Sequence, residues 1–171
     1  LALALALLER ASGSRILIIG ASLKQATQSF SHIVFNLERM GELENFRVLD
    51  NNAEHSLSRQ FYDENEQVIG SLFIEALAAN PDRHDSLVSN VQICDELHAY
   101  KNAKQYNVIR EAGKAYTNKL CIGITTAGDD MTSFCYQRLQ YCLKIVDGIV
   151  KADHIFAFIA KADEDENGNV D

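Results

Sequence analysis

Two adjacent carboxylates, Asp95 and Glu96, follow directly on the apolar run Val91-Gln-Ile-Cys94. An acidic pair at the tip of a buried strand suits reactions at phosphate. One acid neutralises a Mg2+ ion, usually through its water shell, while the other orients and polarises an attacking water. Successive side chains of a strand point to opposite faces, so the two acids converge only where the chain turns at the strand's end. A surface Asp-Glu pair opening a helix has the same letters. A second run, Leu120-Cys-Ile-Gly-Ile-Thr-Thr126, again passes from apolar residues into polar ones. The hydroxyls of Thr125 and Thr126 exchange hydrogen-bond partners at little cost, which suits a relay as well as a cap on the next segment. His98 stands close by, but a lone histidine packs or hydrogen-bonds as readily as it catalyses, and no role in the chemistry is assigned to it.

Holding these groups in place requires strands with helices between them, and the periodicity supplies both. Arg15-Ile-Leu-Ile-Ile-Gly20 is a continuous apolar run of strand length, as expected of a buried parallel strand. Ser22 is placed to cap a helix in which Ala26, Phe30, Ile33, Val34, Leu37 and Met40 recur at helical spacing before Gly41. Phe46 to Leu49 reads as a short strand. Leu57 to Tyr62 and Val68 to Ile74 read as a hairpin turning through Asp63-Glu-Asn-Glu66. Asn80 to Asp85, with the only proline, is a loop. Ala103, Tyr106, Ile109, Ala112 and Tyr116 form a helical stripe, a long helix is expected from about Thr132 to Val150, and His154 to Ala160 reads as one more strand. Alternating strands and helices make an α/β fold with a mostly parallel sheet flanked by helices on both faces, whose chemistry gathers at the carboxyl ends of the strands.

The composition narrows the function further. With 171 residues, 47% of them hydrophobic and 23% charged, the chain suffices for one α/β domain with its own core. Its 16 Lys and Arg against 24 Asp and Glu leave a net charge of −8, which argues against a protein that coats nucleic acid by neutralising phosphates. Cys94, Cys121, Cys135 and Cys142 form no Cys-x-x-Cys pair and lie at no zinc-ligand spacing from any histidine, so they read as buried, reduced thiols. Leu1 to Leu8 alternates leucine and alanine without a basic segment before it and is too short to span a bilayer; it reads as the body of a helix packed on a sheet. Asp163, Asp165, Asn167 and Gly168 fit the opening of an EF-hand loop, but no bidentate Glu follows, and an acidic linker is the expectation.

The strand ending in Asp95-Glu96 has the form of a Walker B segment. Ile93-Cys-Asp-Glu-Leu-His-Ala-Tyr-Lys-Asn102 resembles the Walker B region of the terminase large subunit of tailed phages, an apolar run followed by Asp-Glu-x-His. Leu120 to Gly128, ending in Thr-Thr-Ala-Gly, resembles the coupling motif that comes later in the same family. The resemblance spans about the whole chain. It implies a RecA-like P-loop ATPase core that lacks its first strand and phosphate loop, with residues 1–162 a partial ATPase domain and 163–171 an acidic linker towards a nuclease domain. It implies ATP and Mg2+ as cofactors, Asp95 as the Mg2+ ligand, Glu96 as the carboxylate that activates water, and Thr125 and Thr126 as sensors of the nucleotide. It also implies double-stranded DNA, a portal protein and a small terminase subunit as partners, a homo-oligomeric ring, and work in the cytoplasm of a phage-infected or prophage-carrying bacterium.

One departure from the family's pattern is plain. No Gly-x-x-x-x-Gly-Lys-[Ser/Thr] occurs; the nearest candidate, Gly113-Lys114, has Val108 where the first glycine belongs and Ala115 in place of the hydroxyl. Without the amide cradle and lysine of that loop, the 171 residues alone are expected neither to bind ATP tightly nor to hydrolyse it. Two other readings stay open on the sequence: a helicase or translocase ATPase of the Asp-Glu-x-His type, and a non-catalytic, degenerate nucleotide-binding module.

Overall fold

The computed structural model describes residues 2–79 and 87–160. In chain order the elements are α1 (Ala2–Leu8), β1 (Ser14–Gly20), α2 (Leu23–Arg39), β2 (Arg47–Asp50), β3 (His55–Tyr62), β4 (Val68–Ala78), β5 (Val91–Cys94), α3 (Ala103–Glu111), β6 (Leu120–Gly123) and α4 (Phe134–Val146). The strands form one sheet in the order β2-β3-β4-β1-β5-β6. β1 runs parallel to both β4 and β5, and β5 parallel to β6, whereas β2, β3 and β4 form an antiparallel meander. The half of the sheet that carries Asp95 and Thr125 is therefore the parallel half.

β1 reads as an unbroken apolar run because both of its faces are covered: Ile16, Leu17, Ile18 and Ile19 are all 0% exposed. Alternate residues feed two cores. Ile16 and Ile18 pack with Ala26, Phe30 and Leu37 of α2 on one face, while Leu17 and Ile19 pack with Tyr106, Ile109 and Cys135 on the other. Each such side chain taken from water contributes about 1.5–3 kcal/mol, which makes this central strand the rigid reference for the site. α2 starts at the expected Ser22, whose hydroxyl accepts from the Gln25 amide while the Gln25 side chain accepts from the Ser22 amide, a reciprocal capping box. The hairpin turn is also as expected, closed by Asp63 N donating to Gln67 O at 2.9 Å.

Three expectations change. α3 stops at Glu111 and does not reach Tyr116, whose hydroxyl instead donates to Gly13 O at 2.7 Å. α4 is shorter than 132–150: Gly148 takes a left-handed φ of 72°, and the amides of Gly148 and Ile149 turn back onto Ile145 O and Lys144 O, closing the helix. His154 to Ala160 forms no strand, and Phe156 and Phe158 are 90% and 83% exposed. An apolar run has strand composition, but only a neighbouring ladder makes it a strand, and this run lies on none. The Asn80–Asp85 loop and the acidic tail with its EF-hand-like spacing lie outside the described residues. No helix among the described residues is long and apolar enough to cross a membrane.

Candidate active site

β5 ends at Cys94, but the chain stays clamped to both neighbouring strands for several residues more. The Asp95 amide donates to Ile19 O at 2.8 Å, Ile124 N donates to Cys94 O at 2.9 Å, and Leu97 N donates to Ile124 O at 3.1 Å. Between these clamps Glu96 turns the chain through the left-handed region, φ 54° and ψ 55°. This conformation costs a non-glycine residue about 1–2 kcal/mol, and such strain persists where surrounding contacts impose it. The turn is held from beneath by Leu97, 6% exposed, and by Tyr100, whose hydroxyl donates to Ile19 O at 2.9 Å. Gly123 on β6 leaves room for that plug, since a Cβ there would lie 2.6 Å from Leu97 Cδ1. Burial pushes the Tyr100 and Tyr106 hydroxyls up, so both remain phenols; Tyr100 donates to Ile19 O, while the Tyr106 hydroxyl accepts from Cys121 Sγ at 3.7 Å.

The turn does not bring the two acids together as the sequence leads one to expect: with Glu96 in the left-handed region, their side chains leave the strand's tip towards different neighbours. Asp95 faces α2, where Ser29 Oγ donates to Asp95 Oδ2 at 3.0 Å. Glu96 faces the β6 side: its Oε2 is buried, and His98 Nδ1 stands 3.1 Å from it. That approach is close enough for electrostatic attraction but not aligned as a hydrogen bond, so Oε2 is left without a donor in line. His98 in turn reaches both threonines. Its amide donates to Thr125 Oγ1 at 3.1 Å, its Nδ1 lies 3.2 Å from the same oxygen, and Thr126 Oγ1 lies 3.5 Å from Nδ1. Thr125 Oγ1 donates to Thr126 O at 2.9 Å and accepts from Cys135 Sγ at 3.6 Å, which ties Thr125 to the first turn of α4.

Thus Glu96, Thr125 and Thr126 meet around His98, while Asp95 is fixed separately on the α2 side. Sequence reasoning missed Ser29 and assigned His98 no part. Ser29 carried a faint signal, as a polar residue beside Ala26 and Phe30 on the stripe that packs against the sheet. The donor set of Asp95 carboxylate and Ser29 hydroxyl is hard oxygen, which fits Mg2+. Among the described residues no group of three or more His, Cys, Asp or Glu that could hold a metal ion is found.

Next to the site, Cys94 and Cys121 sit on β5 and β6, and both thiols are free. Hydrogen bonding with the Cys94 thiol and with Tyr106, together outweighing burial, lowers Cys121 to about 7, while hydrogen bonding with Cys121 and burial push the Cys94 thiol up.

Comparison with known proteins bears on the family and the fold. The family described as "Terminase large subunit, ATPase domain" matches residues 1–144. A mutant ATPase domain of the large terminase of Thermus phage P74-26 is similar over 73% of this chain and 52% of its own, at 19% identity and a TM-score of 0.59. The HK97 bacteriophage large terminase is similar over 78% of this chain and 26% of its own, at 18% identity and a TM-score of 0.59. The large terminase of a thermophilic bacteriophage, solved in complex with ADP, is similar over 79% of this chain and 30% of its own, at 15% identity and a TM-score of 0.50. The chain thus spans about half or less of each of these relatives, and at such identities the likeness shows the fold. Among curated proteins none matches.

Proposed function

The chain belongs to the ATPase-domain family of phage terminase large subunits, and from that premise we propose that it is part of a motor that hydrolyses ATP to drive double-stranded DNA into a capsid. The observation that carries this reading is the meeting of Glu96, His98, Thr125 and Thr126 at the tips of two adjacent parallel strands. Glu96 acts as the general base: its carboxylate, on a side chain 36% exposed, accepts a proton from a water poised at the γ-phosphate, while its buried Oε2 faces His98. Asp95, oriented by Ser29, would hold Mg2+. When bound, the ion neutralises charge on the β- and γ-phosphates. Thr125 and Thr126 sense the state of the nucleotide, and Cys135 passes their hydrogen-bonding state to α4.

In this reading residues 1–162 supply the acidic half of a nucleotide site, 163–171 form a linker towards a nuclease domain, and a phosphate-binding loop is a separate contribution. The 171 residues alone are inactive. The motor works as a ring with a portal protein and a small terminase subunit in the host cytoplasm. With a net charge of −8, its grip on DNA rests on a local basic patch or on other parts of the machine. The family match and the Thr-Thr-Ala-Gly ending favour a packaging motor over a helicase, which generally carries Ser/Thr-Ala-Thr at that place.

The test is Glu96→Gln in the full-length protein. Turnover falls at least about 10²-fold, the scale of a positioned general base, while ATP binding is retained. Unchanged turnover removes Glu96 from the chemistry.

A further inference from the structure

We propose that His98 is a positioning residue whose single Nδ1–H proton is shared between the water-activating carboxylate of Glu96 and the sensor hydroxyl of Thr125, so that one imidazole couples the catalytic and sensing halves of the site. This rests on the roles given above to Glu96 and Thr125, but the proton's location follows from the hydrogen bonds alone. The one hydrogen of the Thr125 hydroxyl is directed to Thr126 O at 2.9 Å, so towards His98 this oxygen only accepts. A carboxylate likewise only accepts. Both groups flanking Nδ1, at 3.2 Å and 3.1 Å, therefore demand a donor, and an unprotonated Nδ1 would set its lone pair against theirs. His98 thus carries its proton on Nδ1.

That proton has two destinations of comparable quality. Thr125 Oγ1 offers two lone pairs. The His98 amide at 3.1 Å and the Cys135 thiol at 3.6 Å already compete for them, so the Nδ1–H is a third donor on a crowded acceptor. Glu96 Oε2 has the opposite problem, being buried with no aligned donor. A small rotation of the imidazole moves the proton from the overfilled oxygen to the empty one. With the proton towards Thr125, Glu96 is left free to take a proton from water. With the proton towards Glu96, the carboxylate is occupied and a weaker base. The third neighbour, Thr126 Oγ1 at 3.5 Å, lies where a change in the threonine backbone alters the balance.

Two measurements test this. Long-range nitrogen–proton NMR correlation on the unmodified 171-residue chain at neutral pH reads the tautomer of His98 directly. The expected result is a protonated Nδ1 and an unprotonated Nε2, the less common form in solution, and a protonated Nε2 with a bare Nδ1 overturns the proposal whatever the motor does. In the full-length protein, His98→Asn places an amide N–H where Nδ1 stands, whereas His98→Gln places it where Nε2 stands. His98→Gln is expected to lower kcat by about 10- to 100-fold with KM changed less than about threefold, the signature of misplacement in the transition state, and His98→Asn to recover at least about tenfold of that loss. Equal thermal midpoints for the two variants separate this effect from a folding defect. Equal kcat for Asn and Gln overturns the coupling. If Glu96→Gln abolishes turnover while His98→Gln leaves it untouched, the link fails and the catalytic reading stands; if Glu96→Gln leaves turnover unchanged, it is the catalytic reading that fails.

Discussion

Replacing Glu96 by glycine should stabilise this protein while destroying its proposed chemistry. The residue stands at φ 54° and ψ 55°, a region that costs a side chain about 1–2 kcal/mol and glycine nothing. Glycine returns about 0.5–1 kcal/mol of that through the greater freedom of its unfolded chain. The substitution also removes a buried carboxylate oxygen with no aligned donor, worth about 1–3 kcal/mol. Against this stands the loss of the attraction to His98, which with both side chains about a third exposed (33% and 36%) is worth no more than about 0–1 kcal/mol. The balance is a gain of about 2 kcal/mol, or a rise in melting temperature of about 4–8 °C for a domain of this size. Glu66 provides an internal control, since it too has a positive φ, 60°, but lies exposed in the hairpin turn with no buried oxygen to relieve. Glu66→Gly is expected to gain only about 0.5 kcal/mol. The assay is urea unfolding of the 171-residue chain and the two variants, read by circular dichroism and compared at unchanged slope. If Glu96→Gly gains no more unfolding free energy than Glu66→Gly, the strain and the orphaned oxygen are not what distinguishes this position, and a site held under tension by its clamps is refuted.

Other outcomes follow from the same contacts. Ser29→Ala removes the only side-chain donor to Asp95 among the described residues and should cost about 0.5–1.5 kcal/mol in urea unfolding; in the full-length protein it should also raise the Mg2+ concentration needed for half-maximal turnover. Gly123→Ala drives a methyl to within 2.6 Å of Leu97 Cδ1 and should destabilise by about 1–3 kcal/mol, with the Glu96 amide shifting in NMR spectra because Leu97 underlies that turn. The thiol pair predicts a pH dependence. Cys121 is lowered from an ordinary thiol value to about 7, so between pH 7 and 9 the unfolded chain binds more protons than the folded one and stability rises with pH across that window. Unfolding curves at pH 7 and 9 should show this rise in the native chain and not in Cys121→Ser, and a fall in the native chain over that range contradicts the hydrogen-bonded thiolate.

Much of this protein is legible in its letters, for reasons that are local. The four consecutive apolar residues at 16–19 can only be buried on both faces, which makes β1 central and its neighbours parallel. Ser22 announces the start of α2, and Asp95-Glu96 and Thr125-Thr126 sit at strand ends because apolar runs stop there. What the letters leave undetermined depends on contacts between segments distant along the chain. His154 to Ala160 has the composition of a strand but no ladder to join, and composition carries no information about a neighbour's free edge. The backbone conformation of Glu96 is set by three hydrogen bonds to β1 and to the segment after β6, and nothing in a glutamate foretells a positive φ. Ser29 meets Asp95 across 66 positions, and His98 meets Thr125 across 27. Sequence by itself determined which residues could act on a phosphate and at which strand tips they stand. Only the tertiary structure decided that a histidine with no assigned role lies between the carboxylate and the hydroxyls, because a hydrogen bond depends on distance in space and not on distance along the chain.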